Sequence, residues 1–276
     1  MSDSFLAAVL ARAADFSVEP AEKEDSELEK AACIIKSAQR IVVLTGAGIS
    51  TDSGIPDFRG PEGLWTKNPG AEAASHIQVY KVSAEARIAN WRMMLMFRDV
   101  KPKPNAGHEA IATLCRSERL SLVVTQNIDG LHQASGVSTE KIVEVHGGTT
   151  QTSCLNCGQK LAIGRTLERV TAGDADPKCL RCGGLLKADV VLFGEALSEE
   201  AVERSREAAM TCDVLVAVGS SLTVHPVAGL VPLAKGLGAS LIIVNRGETA
   251  YDQLADARLD GSISEMLPKM LGVEVK

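Results

Sequence analysis

The sequence predicts an α/β fold with a parallel sheet that is interrupted by two insertions. Five short runs are rich in valine and isoleucine and almost continuously apolar, which is typical of strands buried on both faces of a parallel sheet. They cover residues 41–45, 122–125, 190–193, 214–218 and 241–244. Helical segments between several of these runs favour right-handed crossovers between parallel strands.

Capping signals mark the predicted helices. Ser26 and Glu29 have the spacing of a capping box ahead of regularly spaced apolar residues, which predicts a helix from Ser26. Further helices are predicted after Asn105 and after Ser198, where two glutamates suit the positive end of the helix dipole. A fourth helix is predicted to begin at Pro226.

Two regions lack the strand–helix alternation and are interpreted as insertions. Residues 65–104 contain no strand-like run and carry a helical stretch rich in Met and Arg. Residues 153–185 contain paired cysteines and few large apolar side chains. At the N-terminal end, residues 4–14 predict a short amphipathic helix, and the charged residues 18–27 predict a solvated linker.

Composition narrows the class of protein. The 276 residues carry a net charge of -6, with 45% hydrophobic but only 3% aromatic residues, so an aliphatic core is expected. This charge gives no reason to expect nucleic acid or an anionic membrane as a partner, and no apolar run reaches the ~18 residues of a membrane span. Seven cysteines, four of them with metal-ligand spacing, do not resemble a secreted disulfide scaffold. A reducing, cytoplasmic location is expected, with Cys33, Cys115 and Cys212 as buried apolar residues.

The cysteine pairs predict a zinc site. The near repeats CLNCG at 154–158 and CLRCG at 179–183 supply Cys154, Cys157, Cys179 and Cys182. Two residues between cysteines let one turn present both sulfurs to an ion, and four thiolates suit tetrahedral structural zinc. A redox or unmetallated cluster is the alternative. A nucleic-acid-binding ribbon is disfavoured because residues 153–185 include no aromatic side chain for base stacking.

A glycine-rich turn follows the first predicted strand. In Gly46-Ala47-Gly48-Ile49-Ser50, the glycines would allow backbone N–H groups to approach a phosphate closely. The dehydrogenase fingerprint also requires a third glycine and an acidic residue about 20 positions later. Thr51 replaces that glycine and residues 63–71 contain no Asp or Glu, so a tight turn without a ligand is an alternative. Residues 51–60, rich in Gly, Pro and polar side chains, predict a loop over a ligand.

Several motifs in one order resemble the sirtuin family of bacterial type. They are GAGIS and SGIPDFRG within 46–60, TQNIDGLH at 125–132, VHG at 145–147, the cysteine pairs, LFGE at 192–195, GSSLTVHP at 219–226 and VNRGE at 244–248. The resemblance implies an NAD-dependent protein-lysine deacylase with one structural zinc ion, acting on acyl-lysine proteins or peptides. Its implied products are nicotinamide and O-acyl-ADP-ribose.

The same resemblance implies a division into three parts. A Rossmann-like NAD-binding domain would comprise residues 1–64, 105–152 and 186–276, with residues 1–25 as an N-terminal extension. Residues 65–104 would form the helical module, and residues 153–185 the zinc-binding domain. Both inserted parts coincide with the regions that break the strand–helix alternation.

Individual roles are also implied by the resemblance. The implied NAD-binding residues are Gly46, Ala47, Gly48, Ser50, Asp57, Phe58, Arg59, Trp65, Gln126, Asn127, Ile128, Asp129, Gly219, Ser220, Ser221, Asn245, Arg246, Gly247 and Ile263. The implied substrate residues, which would offer a strand edge to the peptide backbone, are Val191, Leu192, Phe193, Gly194 and Glu195. His146 is the implied general base, a role that suits a side chain titrating near neutral pH, and Asn127 is a second catalytic residue.

Other residues leave alternatives open. The remaining histidines (His76, His108, His132 and His225) are expected to be structural or surface residues. The methionines at 93, 94 and 96 fit helix packing or, alternatively, an adaptable wall of an acyl or peptide channel. Sirtuins that prefer succinyl or malonyl groups carry a Tyr-x-x-Arg pair in the helical module. Here Tyr80 is followed at that spacing by Ser83, which disfavours acidic acyl groups.

Three other functions are weaker alternatives. A protein mono-ADP-ribosyltransferase would use the same NAD pocket and add ADP-ribose to a protein acceptor. An NAD dehydrogenase would need the fingerprint residues that are missing here and would produce NADH. A non-enzymatic zinc-ribbon module would keep its function without His146.

Overall fold

The computed structural model describes residues 20–274. Within this range, two sheets contain the strands β1 Ile41–Thr45, β2 Leu120–Thr125, β3 Ile142–Glu144, β4 Gly147–Cys154, β5 Lys160–Ala162, β6 Leu186–Val190, β7 Val214–Val218, β8 Ser240–Val244 and β9 Ala257–Leu259. The larger sheet has six parallel strands in the order β3-β2-β1-β7-β8-β9. The smaller sheet is antiparallel in the order β5-β4-β6. The predicted α/β class with a parallel sheet is confirmed.

The helices lie mostly between the strands. They are α1 Pro20–Ser37, α2 Leu64–Lys67, α3 Pro69–Ala74, α4 Ile77–Val82, α5 Ala84–Val100, α6 Ala106–Arg116, α7 Leu131–Ala134, α8 Ile163–Thr171, α9 Glu199–Thr211, α10 Leu230–Gly236 and α11 Ile263–Leu271. Short 3-10 helices cover Ala47–Ser53, Thr139–Lys141, Val227–Gly229 and Asp252–Leu254. Across residues 20–274, no helix combines the length and apolar character that crossing a bilayer requires.

Helices cover both faces of the large sheet, which explains its continuous apolar strands. Successive residues of a strand point to opposite faces. Ile41 and Val43 therefore pack in a cluster with α1, α6 and α11, whereas Val42 and Leu44 pack in a second cluster with α9 and α10. This burial of aliphatic side chains on both faces fixes the sheet that positions the site.

The strand order places a crevice next to β1. The chain passes from β1 through β2 to β3 on one side, and then returns to β7 on the other side of β1. In open parallel sheets, ligands bind beyond the carboxyl ends of the strands at such a reversal. The turns that begin at Gly46 and Gly219 lie at this point.

The small sheet has its own core. Trp91 and Met94 of α5, Leu167 of α8, and Leu186 of β6 form a cluster that also contains the buried Cys154 and Cys179. Strands β4 and β6 extend to Gly147 and Val190, so this sheet continues beyond the predicted boundaries of 153 and 185. The sequence did not mark β4 and β6 as strands of this sheet because they lack the aliphatic runs typical of a buried parallel strand.

The predicted strand at residues 190–193 is wrong. Strand β6 ends at Val190, and Gly194 adopts the left-handed region at a φ of 82°, which turns the chain. The apolar run is explained by Leu192, which packs with Ile77 and Tyr80 outside either sheet. A run of four apolar residues therefore does not distinguish a strand from a segment that is buried without being a strand.

Two helix starts also differ from the predictions. Helix α1 begins at Pro20, so Ser26 lies inside it and residues 20–27 are helical and not a linker. Residues Pro226 onward form a 3-10 turn, and the regular helix begins at Leu230. The starts after Asn105 and Ser198 are confirmed, since both side chains accept hydrogen bonds from the first helical turn. The predicted helix at 4–14 lies outside the described residues.

The three remaining cysteines have different environments. Cys212 is buried as expected, Cys115 is half-buried, and Cys33 is exposed on α1. The expectation for Cys33 is wrong because the neighbouring residues of α1, Ala31 and Ile35, turn the apolar stripe of the helix to the sheet.

Candidate functional site

The strand ends next to β1 open into one large cavity. Its volume is about 1090 Å³, at the upper end of the ~300–1,000 Å³ usual for ligand pockets. Residues that follow β1, β2, β7 and β8 line one side, and the end of β6 lines the other together with α5. The cavity therefore has room for a dinucleotide and an extended side chain.

Three glycines bring two strand-end turns into contact. A Cβ atom on Gly48 would lie 2.7 Å from the Cα of Gly219, and one on Gly46 would lie 2.7 Å from Gly219 O. The N–H groups of Gly46 and Gly48 donate to Val218 O and Gly219 O, both at 2.9 Å. The glycines are therefore required for close packing. The N–H groups of Gly46 and Gly48 already donate to backbone oxygens and are not free to bind a phosphate. A phosphate would depend on neighbours such as Ser220, whose N–H has no acceptor among residues 20–274.

Asn127 and Asp129 are oriented by the glycine turn. Asn127 Nδ2 donates to Gly46 O at 3.1 Å and to Ser50 Oγ at 3.2 Å, which leaves its Oδ1 as an acceptor. Ser50 Oγ donates to Asp129 Oδ2 at 2.7 Å, and the N–H of Leu131 donates to Oδ1 at 2.9 Å. Polar side chains from two strand ends thus form one fixed group in the cavity wall.

His146 lines the cavity two residues after the end of β3. Its Nδ1 lies 3.0 Å from Gln126 O, which can only accept, so the neutral ring carries its proton on Nδ1 and leaves Nε2 as an acceptor. No described residue forms a hydrogen bond with Nε2. Burial lowers the pKa of His146 below its ordinary value of 6.5, with the bond to Gln126 acting in the opposite direction. The geometry is that of a base with a free nitrogen at neutral pH.

Two buried histidines lie behind this wall. His132 Nε2 lies 2.9 Å from Thr45 Oγ1, and Thr45 donates to Thr125 Oγ1 at 2.8 Å. Thr125 Oγ1 in turn accepts the N–H of Asn127 at 3.1 Å. The ring of His108 packs against that of His132, with ring centres 5.0 Å apart and planes tilted by 55°. Burial lowers the pKa of His132 to about 3 and that of His108 to about 4, so both are neutral structural residues, as expected.

Aromatic contacts join the 57–65 loop to the other side of the cavity. The Phe58 and Trp65 rings lie 4.7 Å apart, and those of Trp65 and Phe193 lie 5.6 Å apart. His76 packs on Phe193 at 5.2 Å, and the Arg59 guanidinium lies 4.5 Å from the Trp65 ring. The loop is therefore held over the cavity by contacts with its far wall.

Residues 190–195 form a turn, which we call the 190–195 turn, and it is already extensively hydrogen-bonded. Val191 N–H donates to His146 O at 2.8 Å. Phe193 N–H donates to Ser75 O, and Phe193 O accepts from Ile77. The Glu195 N–H donates to Leu192 O. Among the described residues, no group donates to Val191 O or accepts from Gly194 N–H, so these are the backbone groups that a substrate can meet.

The residues after β8 complete the cavity at its other end. Asn245, Arg246 and Gly247 line it, and Asn245 Nδ2 donates to the carbonyls of the other two. Of the implied NAD-binding residues, all of them in the described range, only Ile263 does not reach the cavity. It is buried in the core, where its side chain contacts Gly107 of α6.

The site contains the groups that NAD requires. Two strand-end turns approach as closely as glycine permits, and the amide and carboxylate of Asn127 and Asp129 lie beside them. Such turns suit the pyrophosphate, and such side chains suit the nicotinamide carboxamide and the ribose hydroxyls. The volume and polarity of the cavity therefore fit a dinucleotide.

The four paired cysteines converge at one end of the small sheet. Their sulfur atoms all lie within 4.8 Å of one another, with Cys154 and Cys182 at 3.6 Å and Cys157 and Cys179 at 3.8 Å. A zinc–sulfur bond of ~2.3 Å in a tetrahedron separates sulfurs by ~3.8 Å, so the residues fit zinc. With four thiolates the site has no open position, as in structural zinc centres.

Sequence reasoning missed part of the cavity wall. Trp91, Phe97, Ile163 and Leu167 form an apolar surface beside the 190–195 turn, and the buried Lys187 lies next to it. Met93 and Met94 belong to this surface, whereas Met96 is exposed. The methionine-rich stretch signalled this wall, but the buried lysine had no signal in the sequence.

The chain is similar in sequence to a known family and to proteins of that family. The sequence profile of the Sir2 family matches residues 46–226, which is most of the chain. NAD-dependent protein deacetylase 2 of Streptomyces coelicolor is 43% identical over 231 residues, covering 84% of this chain and 96% of the relative. NAD-dependent protein deacylase 2 of Archaeoglobus fulgidus is 40% identical over 249 residues, covering 90% and 96%.

Solved structures agree with these relatives. A Sir2 enzyme structure with 38% sequence identity superposes with a TM-score of 0.80 and covers 90% of this chain and 97% of that chain. A complex of Sir2 with p53 peptide and NAD+ has 31% identity and a TM-score of 0.77, covering 87% and 95%. The resemblance found in the sequence is confirmed at the level of both family and fold.

Proposed function

The chain belongs to the Sir2 family, and on this premise we propose that it is an NAD-dependent protein-lysine deacylase in which His146 acts as the general base. The observation that carries the proposal is the free Nε2 of His146 within the cavity that also holds the glycine turns and the 190–195 turn. One cavity thus presents a dinucleotide-binding wall, a base and unpaired backbone groups for a peptide.

The chain's own residues have distinct tasks in this proposal. When bound, NAD supplies a ribose carbon that loses nicotinamide and receives the acyl oxygen. Asn127 Oδ1 and Asp129 orient the nicotinamide end, since Ser50 and Gly46 already hold both side chains. His146 Nε2 accepts a proton from a ribose hydroxyl, and the Nδ1 bond to Gln126 O stabilises the ring as it becomes charged.

The peptide would be bound mainly by its backbone. The acyl-lysine N–H would donate to Val191 O, and a neighbouring peptide carbonyl would accept from Gly194 N–H. The apolar wall of Trp91, Phe97 and Leu167 supports apolar acyl groups. Tyr80, the one tyrosine of residues 65–104, donates its hydroxyl to Leu186 O at 2.7 Å and is not free for an acidic acyl group.

Zinc has a structural task. The Cys154 and Cys179 sulfurs pack in the same cluster as Leu167 and Trp91, so the ion supports the apolar wall of the cavity. We propose on this basis that the small sheet, with its zinc and the helices around α5, is a separate lobe that contributes the acyl side of the site.

The test is a reaction of purified protein with NAD and acetyl-, butyryl- and myristoyl-lysine peptides, followed by mass spectrometry. We expect nicotinamide, deacylated peptide and O-acyl-ADP-ribose, all dependent on NAD and absent for His146→Ala. A protein adduct heavier by ADP-ribose, without loss of acyl groups, would instead favour mono-ADP-ribosyl transfer. Absence of products with all three peptides would overturn the deacylase proposal.

A further inference from the structure

Lys187 is a buried lysine in the cavity wall that the proposed chemistry does not use. It is 8% exposed, and its Nζ donates to Val190 O at 2.6 Å and to Ala188 O at 3.1 Å. Its third neighbour is Glu195 Oε2 at 3.1 Å. Two of the three ammonium donors are thus hydrogen-bonded to main-chain oxygens, and the Glu195 carboxylate compensates the charge. A buried ammonium is costly unless it is paired and hydrogen-bonded, and here an ion pair and two hydrogen bonds offset that cost.

Glu195 connects this cation to the 190–195 turn. The Oε2 atom that faces Lys187 also accepts the N–H of Leu192 at 2.8 Å. The main chain of the turn is closed by the Glu195 N–H, which donates to Leu192 O at 3.0 Å. Lys187 therefore holds the first carbonyl of the turn directly, and holds its centre through the Glu195 carboxylate.

The main-chain atoms that Lys187 and Glu195 bind lie next to the backbone groups proposed to bind the substrate. Val191 O belongs to the same peptide unit as the Leu192 N–H, which Glu195 accepts, and the preceding peptide unit is held at Val190 O by Lys187. Val191 N–H is bonded to His146 O, so the same turn is joined to the backbone of the proposed base. A shift of the turn would misplace the peptide relative to His146.

We propose that Lys187 is a positioning residue, which with Glu195 fixes the 190–195 turn in the conformation that receives acyl-lysine. This inference rests on the proposed deacylase function. Lys187 acts through the turn and not on the reacting atoms, because its Nζ is bonded to two main-chain oxygens and paired with the Glu195 carboxylate. Loss of the pair should weaken peptide recognition and leave the NAD-binding turns on the other wall intact.

The experiment compares two buried ion pairs, so that an effect on peptide positioning can be distinguished from an effect on protein stability. Lys187→Met, Glu195→Gln and the double variant are compared with Arg87→Met/Asp176→Asn. Arg87 and Asp176 also form a buried pair, at 2.9 Å with side chains 8% and 19% exposed, but neither lines the cavity. Each protein is measured for KM and kcat with an acetyl-lysine peptide, for peptide affinity by fluorescence anisotropy, for NAD affinity and for Tm.

The double variant is decisive because it removes both charges and leaves neither uncompensated. We expect its Tm to recover relative to the single variants, while peptide KM and Kd stay raised by about tenfold, as the loss of one charge-assisted hydrogen bond implies. NAD affinity should stay within about twofold of wild type, which is a smaller change than the loss of one such hydrogen bond would cause. The Arg87/Asp176 control should leave peptide KM unchanged.

Two results would overturn the inference. One is wild-type peptide KM and affinity in the double variant. The other is a fall of peptide affinity, NAD affinity and Tm together, as a general structural defect would cause. The anisotropy measurement keeps the inference separate from the proposed function. If wild type binds peptide without deacylating it, the function fails while the positioning role is still decided, and if it binds no peptide both fail.

Discussion

The imidazole of His146 is oriented by one hydrogen bond, from its Nδ1 to the main-chain oxygen of Gln126 at 3.0 Å. Gln126 follows β2 and His146 follows β3, so two neighbouring parallel strands fix the tautomer of the ring. Because the acceptor is a backbone carbonyl, no side-chain substitution at position 126 removes it. The Nε2 atom is consequently directed to the cavity in the neutral form that a general base requires.

The pH dependence of turnover should report this environment. Burial lowers the pKa of His146 below 6.5, so the neutral base persists to a lower pH than for a free histidine. We expect the acidic limb of kcat/KM for an acetyl-lysine peptide to have its midpoint below pH 6.5. His146→Ala should lower kcat by about 10²–10⁴-fold. A limb at or above pH 6.5, or a variant with full activity, would contradict the assignment.

Acid should destabilise the fold through His108 and His132. Both have a folded-state pKa lowered to about 4 and about 3 by burial, against 6.5 when unfolded. Between these values the unfolded chain binds more protons, so stability is complete above pH 6.5 and falls as pH decreases. At pH 5 each histidine should cost about 2 kcal/mol in the free energy of unfolding.

Urea unfolding at pH 7.5 and pH 5.0 measures this loss. The variant His108→Leu should show a smaller difference between the two pH values than wild type. The matched control is His76→Gln, which changes an exposed histidine and should keep the wild-type difference. An unchanged pH difference in His108→Leu would show that this buried pair does not cause the acid sensitivity.

Removal of zinc should unfold the small sheet and the apolar cluster packed on it. The Cys179 sulfur is buried in the cluster that contains Leu167 and Trp91, so an unligated cysteine cluster loosens the apolar wall. Because metal binding contributes to the folding free energy, each ~1 kcal/mol lost should lower Tm by about 2–4 °C in a chain of this size. Cys179→Ser should lose the bound zinc, measured by elemental analysis, together with peptide turnover. Cys33→Ser, which alters an exposed cysteine outside the cluster, should keep both.

The glycine contact can be tested by adding one methyl group. In Gly48→Ala the new Cβ would lie 2.7 Å from the Cα of Gly219, and backbone there cannot move without opening the turn. We expect a loss of about 1–3 kcal/mol in stability and at least a tenfold loss of NAD affinity by calorimetry. Gly236→Ala, where no atom lies within 4 Å of the added Cβ, should bind NAD normally. Wild-type NAD affinity in Gly48→Ala would disprove the need for close packing.

Much of the site could be predicted because its signals are local in the sequence. The cysteine pairs, the Gly46–Gly48 turn and the His146 motif each occupy a few adjacent residues, and each requires only one turn of chain to present its groups. The sequence signal of the parallel sheet was equally local, since strands buried on both faces must be apolar at every position. These features follow from residue type and spacing alone.

Other features depend on contacts between distant parts of the chain. The run at 190–193 is apolar because Leu192 meets Ile77 and Tyr80, a contact that no pattern within the run reveals. The contact between the tilted rings of Trp65 and Phe193 likewise requires two distant parts of the chain to meet at the cavity.

The sequence by itself determined the family, and it identified the four cysteines that converge in one cluster and the His146 motif that reaches the cavity wall, because turns and buried strands constrain neighbouring residues. Only the tertiary structure decided that Lys187 is buried against Glu195 and that the glycines allow the two strand-end turns to pack closely. The physical reason is that burial and pairing depend on which surfaces the topology brings together. A lysine eight residues from its carboxylate partner looks, in sequence, like any other solvated charge.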